Sequence, residues 1–282
     1  MAIFHIQHQT QYRFNQRVYL CPYIVRLQPR SNSWQTLQRY QCLVNPLSAG
    51  CSDLVGLNGN PEQKLWFTQP TESLAIAVQS VVETHVDNPF NYLLDPWALT
   101  LPFDYPASLA QQLQPCLRPY ENRLDPVAVE LAQEIAHDCQ RQPIPFLQAL
   151  VERVYKTCQY TVREEGLPWE AGVTWRRQQV SCRDLTVLFM EVCRAIGLAA
   201  RFVSGYEAGD ETTENWELHA WAEVYLPGGG WRGYDPTHGL AVSDRHIALV
   251  ASPLPNYCAP VAGEVTPAKP LLETQLALVS DL

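Results

Sequence analysis

Three residues of this chain could do chemistry together: Cys182, His219 and Asp235, in that order and separated by 219 − 182 = 37 and 235 − 219 = 16 residues. A thiolate is a far better nucleophile than a thiol, so a reacting cysteine needs a device that favours its ionised form. An imidazole can take the thiol proton, and a carboxylate can fix the imidazole tautomer and support the imidazolium. Such a set attacks an amide carbonyl, expels the amine and leaves a thioester, which water or a second amine can resolve.

The elements that must position these residues can be read from periodicity. Leu185, Leu188, Phe189, Val192 and Ile196 keep helical spacing, and Gly197 follows as a C-cap. Cys182, within Ser181-Cys182-Arg183-Asp184, therefore opens a helix, where exposed N–H groups and the dipole favour negative charge. The Cys182 N–H is also the natural first donor to an oxyanion. His219 lies in the alternating stretch Leu218 to Leu226, which ends at Pro227-Gly228-Gly229-Gly230. Trp231 to Pro236 reads as the returning strand of a hairpin, able to bring Asp235 beside His219. Each residue alone has an ordinary explanation: a packed cysteine, a strand histidine, a turn aspartate before Pro236. The ordered set in its predicted context turns the reading toward an active site.

Four blocks extend this pattern: Ser181-Cys182-Arg183-Asp184-Leu185, Arg201 to Tyr206, His219-Ala220-Trp221-Ala222-Glu223-Val224-Tyr225, and Gly233-Tyr234-Asp235-Pro236-Thr237. Together, over about Asp125 to Val250, they resemble the core of the transglutaminase-like superfamily. Phe4 to Phe14, with Leu27-Gln28-Pro29-Arg30, resembles the β domain that precedes this core in bacterial members. Two positions depart from the family's usual pattern: Val180-Ser181 stands where Gly-Val is usual, and His238 where Asn is usual. The resemblance implies an α+β chain with a papain-like core, helices packed on an antiparallel sheet, behind an all-β sandwich-like domain. It implies a cysteine-dependent peptidase, amidohydrolase or transglutaminase without a cofactor or catalytic metal. It also implies a second oxyanion donor from an aromatic or polar side chain upstream of the cysteine. Tyr160 and Trp169 are candidates, and Trp221, inside the histidine block, is a supporting residue.

The rest of the chain agrees with an enzyme of this kind. At 282 residues and 46% hydrophobic content, two domains are expected. We place an antiparallel β domain at 1–88, an ordered connector rich in proline and aromatics at 89–125, the catalytic core at 126–251 and an extension at 252–282. Strands are expected at Phe4 to Phe14, Tyr19 to Leu27, Trp34 to Val44, Leu65 to Thr68 and Leu74 to Val86, with a turn at Asn58-Gly59-Asn60-Pro61. Helices are expected from Asp125-Pro126 to about Cys139 and from Phe146 to Thr157, and further strands near Ala199 to Tyr206 and His246 to Ala251. The start lacks the basic and apolar regions of a signal peptide, and no apolar run reaches membrane-span length. Nine cysteines, an odd number with no Cys-x-x-Cys pair, favour a reducing compartment, so the expected location is cytoplasmic. A net charge of −9 argues against nucleic acid and anionic membrane as partners and leaves a peptide or amide substrate.

Two weaker constellations have competing readings. Glu207, Asp210, Glu211, Glu214 and Glu217 form an acidic segment before the histidine strand, expected as a solvated loop that could instead attract a cationic amine. Cys182, His219, Asp235 and His238 could be read as metal ligands, though zinc sites usually show close-paired ligands. A thioester-forming enzyme, a silent binding module on the same fold, and a metal-dependent hydrolase are the function classes that follow.

Overall fold

A computed structural model describes residues 2–121, 123–163, 166–208, 216–267 and 272–281. The N-terminal part is built from β1 (Ala2–Leu20), β2 (Tyr23–Val25), β3 (Gln35–Asn45), β4 (Gly50–Val55), β5 (Pro61–Trp66) and β6 (Thr71–Thr84). Alternation drives these strands, since one face must be apolar and the other wet. On β6, Leu74, Ile76, Val78 and Val82 are buried and their neighbours are not, and on β1 Phe4, Ile6, His8 and Thr10 repeat the pattern. The predicted turn at Asn58 to Pro61 joins β4 to β5, with Gly59 at φ 73°. β4 itself is not visible in the sequence, because none of its six residues is buried and four are exposed, so no alternating apolar face marks it.

The connector holds α1 (Ala107–Leu117), which the sequence hides behind its internal Pro115. It packs on the core: Tyr105 donates its hydroxyl to the Tyr225 carbonyl at 2.9 Å, and Asp95 N–H bonds the Pro227 carbonyl at 3.0 Å. Arg232 lies over both Trp34 and Tyr92, at 4.8 and 4.2 Å from the ring centroids, and so ties the N-terminal part, the connector and the core together.

The core comprises α2 (Pro126–Asp138), α3 (Pro143–Thr157), β7 (Gln159–Tyr160), α4 (Ala171–Arg177), β8 (Gln179–Val180), α5 (Cys182–Ala195), β9 (Ala200–Ala208), β10 (Trp216–Leu226), β11 (Gly230–Asp235), β12 (Leu240–Ala241) and β13 (His246–Ser252). Asp125 caps α2 by accepting from Val127 N–H at 2.9 Å. α3 starts three residues before the predicted Phe146, because Pro143 and Pro145 fit its first turn. α5 is buried nearly all round, and two of its three buried charges, Glu191 and Arg194, pair at 2.9 Å. It lies against the antiparallel sheet ordered β12-β11-β10-β9-β13. This is the α+β arrangement expected.

The segment after Ser252 returns to the N-terminal sheets. β14 (Val261–Ala262) pairs with β2, and β15 (Val265–Thr266) and β16 (Leu272–Asp281) pair with β1. Among the described residues, no helix is long and apolar enough to cross a membrane.

Candidate active site

Cys182 is the first residue of α5, and the start of that helix is held by one carboxylate. Asp184, fully buried, accepts from the Ser181 N–H at 2.9 Å, the Ser181 hydroxyl at 2.7 Å, the Trp169 N–H at 2.8 Å and the Arg163 guanidinium at 2.6 Å. Four donors satisfy the buried charge and fix the turn that aims Cys182. Arg183 donates to the Gly166 and Arg163 carbonyls, which draws the preceding loop against the same turn.

His219 comes from β10 and Asp235 from the end of β11. The β10–β11 register pairs Ala222 with Tyr234. One further step sets Asp235 opposite Trp221 and diagonal to His219 on the same face, within reach of an imidazole. His219 Nε2 lies 2.8 Å from Asp235 Oδ2, and the Cys182 side chain is close enough to the ring to favour its charged form. Burial disfavours the imidazolium, but Asp235 and then Cys182 outweigh it and raise the His219 pKa well above its ordinary value. Burial likewise opposes the Asp235 anion, and His219 with His246 overcomes it, holding the carboxyl far below the usual range. An ionised carboxylate only accepts, so both imidazoles donate to it from Nε2. Oδ1 accepts the Thr237 N–H at 2.8 Å and the His238 N–H at 3.4 Å.

The supporting candidates take different places. Tyr160, partly exposed, stands opposite Val180 in the parallel β7–β8 pair, two residues ahead of Cys182. The Trp169 ring has the Arg163 and Arg177 guanidinium groups 4.6 and 4.4 Å from its centroid, and the Trp169 backbone N–H braces Asp184. Trp221 is buried, nearly parallel to His219 at 6.5 Å and edge-on to His246 at 5.2 Å.

Sequence reasoning missed His246 and the pairing of His238 with Glu207, whose Nε2 and Oε2 lie 2.9 Å apart. Glu207 is therefore not part of a solvated loop: it belongs to β9, which runs on to Ala208. Asp210, Glu211 and Glu214 lie outside the described residues. The His238 imidazole, 5.3 Å from His219 between ring centroids, has its pKa raised, first by that bond to Glu207. One polar atom from each of Glu207, His219, Asp235 and His238 falls within 4.8 Å of the others. Within this group His219 is hydrogen-bonded to Asp235 and His238 to Glu207.

Residues 129–236 match the transglutaminase-like superfamily, and residues 4–83 match the bacterial transglutaminase-like N-terminal region. An uncharacterised protein of Mycobacterium tuberculosis H37Rv is 27% identical over 263 residues, covering 87% of this chain and 82% of its own length. The protein-glutamine gamma-glutamyltransferase of Pseudomonas aeruginosa is 28% identical over 127 residues, 42% of this chain and 19% of that protein. A solved structure from Cytophaga hutchinsonii, described as a proposed cysteine protease, superposes with a TM-score of 0.73 at 17% identity, covering 99% of this chain and 90% of that one. That likeness speaks for the fold.

Proposed function

Since this chain belongs to the transglutaminase-like superfamily, with its core at 129–236 and the bacterial N-terminal region at 4–83, we propose that it performs acyl transfer at an amide bond through a Cys182 thioester, resolved chiefly by water. The observation that carries this reading is the His219 ring, held by Asp235 at 2.8 Å with the Cys182 side chain near enough to favour its charged form.

The thiol proton passes to His219 Nδ1, and the sulfur attacks the amide carbonyl carbon. The carbonyl oxygen becomes an oxyanion facing the Cys182 N–H at the start of α5. Collapse breaks the C–N bond, and the amine leaves with the proton from His219. Water, deprotonated by the same ring, attacks the thioester, releasing the acid and restoring the thiol. Asp235 holds the ring in the tautomer that both half-reactions need. Tyr160, beside the strand leading into Cys182, is the stronger candidate for a second oxyanion donor, since the Trp169 ring is occupied by two arginines.

Transamidation uses the same intermediate with an amine in place of water, and the Pseudomonas aeruginosa relative carries that activity in its name. Nine unpaired cysteines suit a reducing compartment, and we assign the protein to the cytoplasm on that ground.

The reading is tested with a panel of peptide amides, with and without a primary amine, followed by intact-mass detection of an acyl adduct mapped to Cys182. Cys182→Ala should abolish turnover and adduct while leaving the melting temperature nearly unchanged. Leu188→Ala, fully buried on the same helix, should instead cost about 2–5 kcal/mol of stability. Unfolding of Cys182→Ala, or an adduct on another residue, defeats the assignment.

A further inference from the structure

His246 has no part in the acyl-transfer steps, yet it sits on the residue that orients them. It is buried, and its Nε2 lies 3.0 Å from Asp235 Oδ2, the same oxygen that meets His219. Its Nδ1 is buried with no hydrogen-bond partner among the described residues, so the ring's polar interaction is with Asp235. Asp235 is thus held from every element around it: His219 from β10, His246 from β13, and the backbone N–H groups of Thr237 and His238 from its own turn. Glu207 of β9 faces this group through His238, and Cys182 of α5 through His219.

β13 is the edge strand of the core sheet, and an edge presents unpaired backbone groups. Two buried side-chain amides of the N-terminal part cover that edge. Gln35 accepts the Ala248 N–H at 2.8 Å and donates to the Ala248 carbonyl at 3.0 Å, and Asn60 does the same at Ala251, with both bonds 2.9 Å long. Each amide takes the place of a neighbouring strand. The Gln35 clamp lies next to the register shift between Ala248 and Val250 and two residues from His246.

We infer that His246 is a positioning residue for Asp235, and that the N-terminal β region is a working part of the site because Gln35 and Asn60 hold the strand that carries it. The inference rests on Cys182 and His219 being the reacting pair, and it requires no knowledge of the substrate. Removing the second donor from Oδ2 lets the carboxylate turn and take up a proton at higher pH, which withdraws support from the His219 imidazolium.

The test follows the rate of Cys182 carboxamidomethylation by iodoacetamide between pH 4 and 8 on the full chain, read by peptide mapping, with melting temperatures alongside. His246→Phe keeps the ring against Trp221 and removes the donor. It should move the acid limb of the profile to higher pH, lowering the rate at pH 5 by about threefold to tenfold, as a shift of half to one unit requires. Gln35→Leu, which touches nothing in the site, should move the limb in the same direction, and the double variant should be no slower than His246→Phe. If His246→Phe does not fold, Gln35→Leu carries the test. An unmoved acid limb in a folded His246→Phe overturns the role of His246. A Gln35→Leu variant that melts earlier with a wild-type profile overturns the role of the N-terminal region. Lack of turnover on every amide would count against the proposed function alone, since alkylation of Cys182 needs no substrate.

Discussion

The Trp221 ring occupies the space where a side chain on Gly205 would stand. A Cβ on Gly205 would lie 2.5 Å from the indole Cη2 and 2.2 Å from the Ile247 carbonyl. Gly205 is paired with His219 on one side and Ala248 on the other, so the vacancy lies in the middle of the site's sheet. The indole thereby forms a wall beside both His219 and His246.

This makes Gly205→Ala a severe change for its size. The backbone carbonyl cannot rotate away as a flexible side chain could, so the cost should be about 1–3 kcal/mol, the range for an overpacked core. Turnover should fall along with stability, because the displaced Trp221 backs both imidazoles. Chemical denaturation with a parallel rate of Cys182 alkylation checks this, and an unchanged midpoint would show that the sheet relaxes freely there.

A second expectation concerns the other thiols. Burial pushes the Cys158 thiol up to about 11 and the Cys258 thiol up to about 12, and Cys51, though exposed, is also raised, by partial burial and then by Asp53. Cys182, at a helix start beside His219, should therefore react with iodoacetamide first at a pH of about 6. Quantitative peptide mapping over time decides the point, and labelling led by Cys51 or Cys193 would remove Cys182 from the nucleophile's role.

Much of the site was legible because its residues sit on local patterns. The α5 start follows from helical spacing after Cys182, and the β10–β11 hairpin from alternation broken at Pro227-Gly228. His246 was not legible, because its partner Asp235 meets it only through β13 lying beside β9, a pairing that no local signal sets. Glu207 was read as loop since the acidic residues after it hide the end of a strand. α4 is too short, at seven residues, to show a period, and α1 carries a proline. The strands of the tail acquire their meaning only from β1 and β2, more than two hundred residues earlier.

The coupled charges predict a pH window for stability. Asp235 is held below its ordinary value, so its contribution is present above the unfolded value of about 3.9 and is lost as pH falls through the lower folded value. His219 is held above its ordinary value, so its contribution is full below about 6.5 and is lost as pH rises through the higher folded value. The stability lost in Asp235→Asn should thus be largest between about pH 4 and 6.5 and shrink toward alkaline pH. Urea midpoints of both proteins across that range test the sign. A difference that grows above pH 8 would mean that the pair is neutral in the folded state.

The same substitution separates orientation from folding in the reaction itself. In serine proteases the equivalent Asp→Asn change costs about 10⁴ in turnover, a known case. Sulfur is intrinsically a stronger nucleophile than a serine hydroxyl, so the dependence here should be weaker, about 10 to 10³. Asp235→Asn should retain the fold and a detectable reactive thiol, since Oδ1 still accepts from the Thr237 N–H. Combined with His219→Ala, it should slow turnover no further than His219→Ala does alone, because groups that act as one unit are not additive. Steady-state rates of the two single variants and the double variant close the cycle. Fully additive losses would place the work of Asp235 in its turn with Pro236 and Thr237, leaving Cys182 and His219 to act as a dyad.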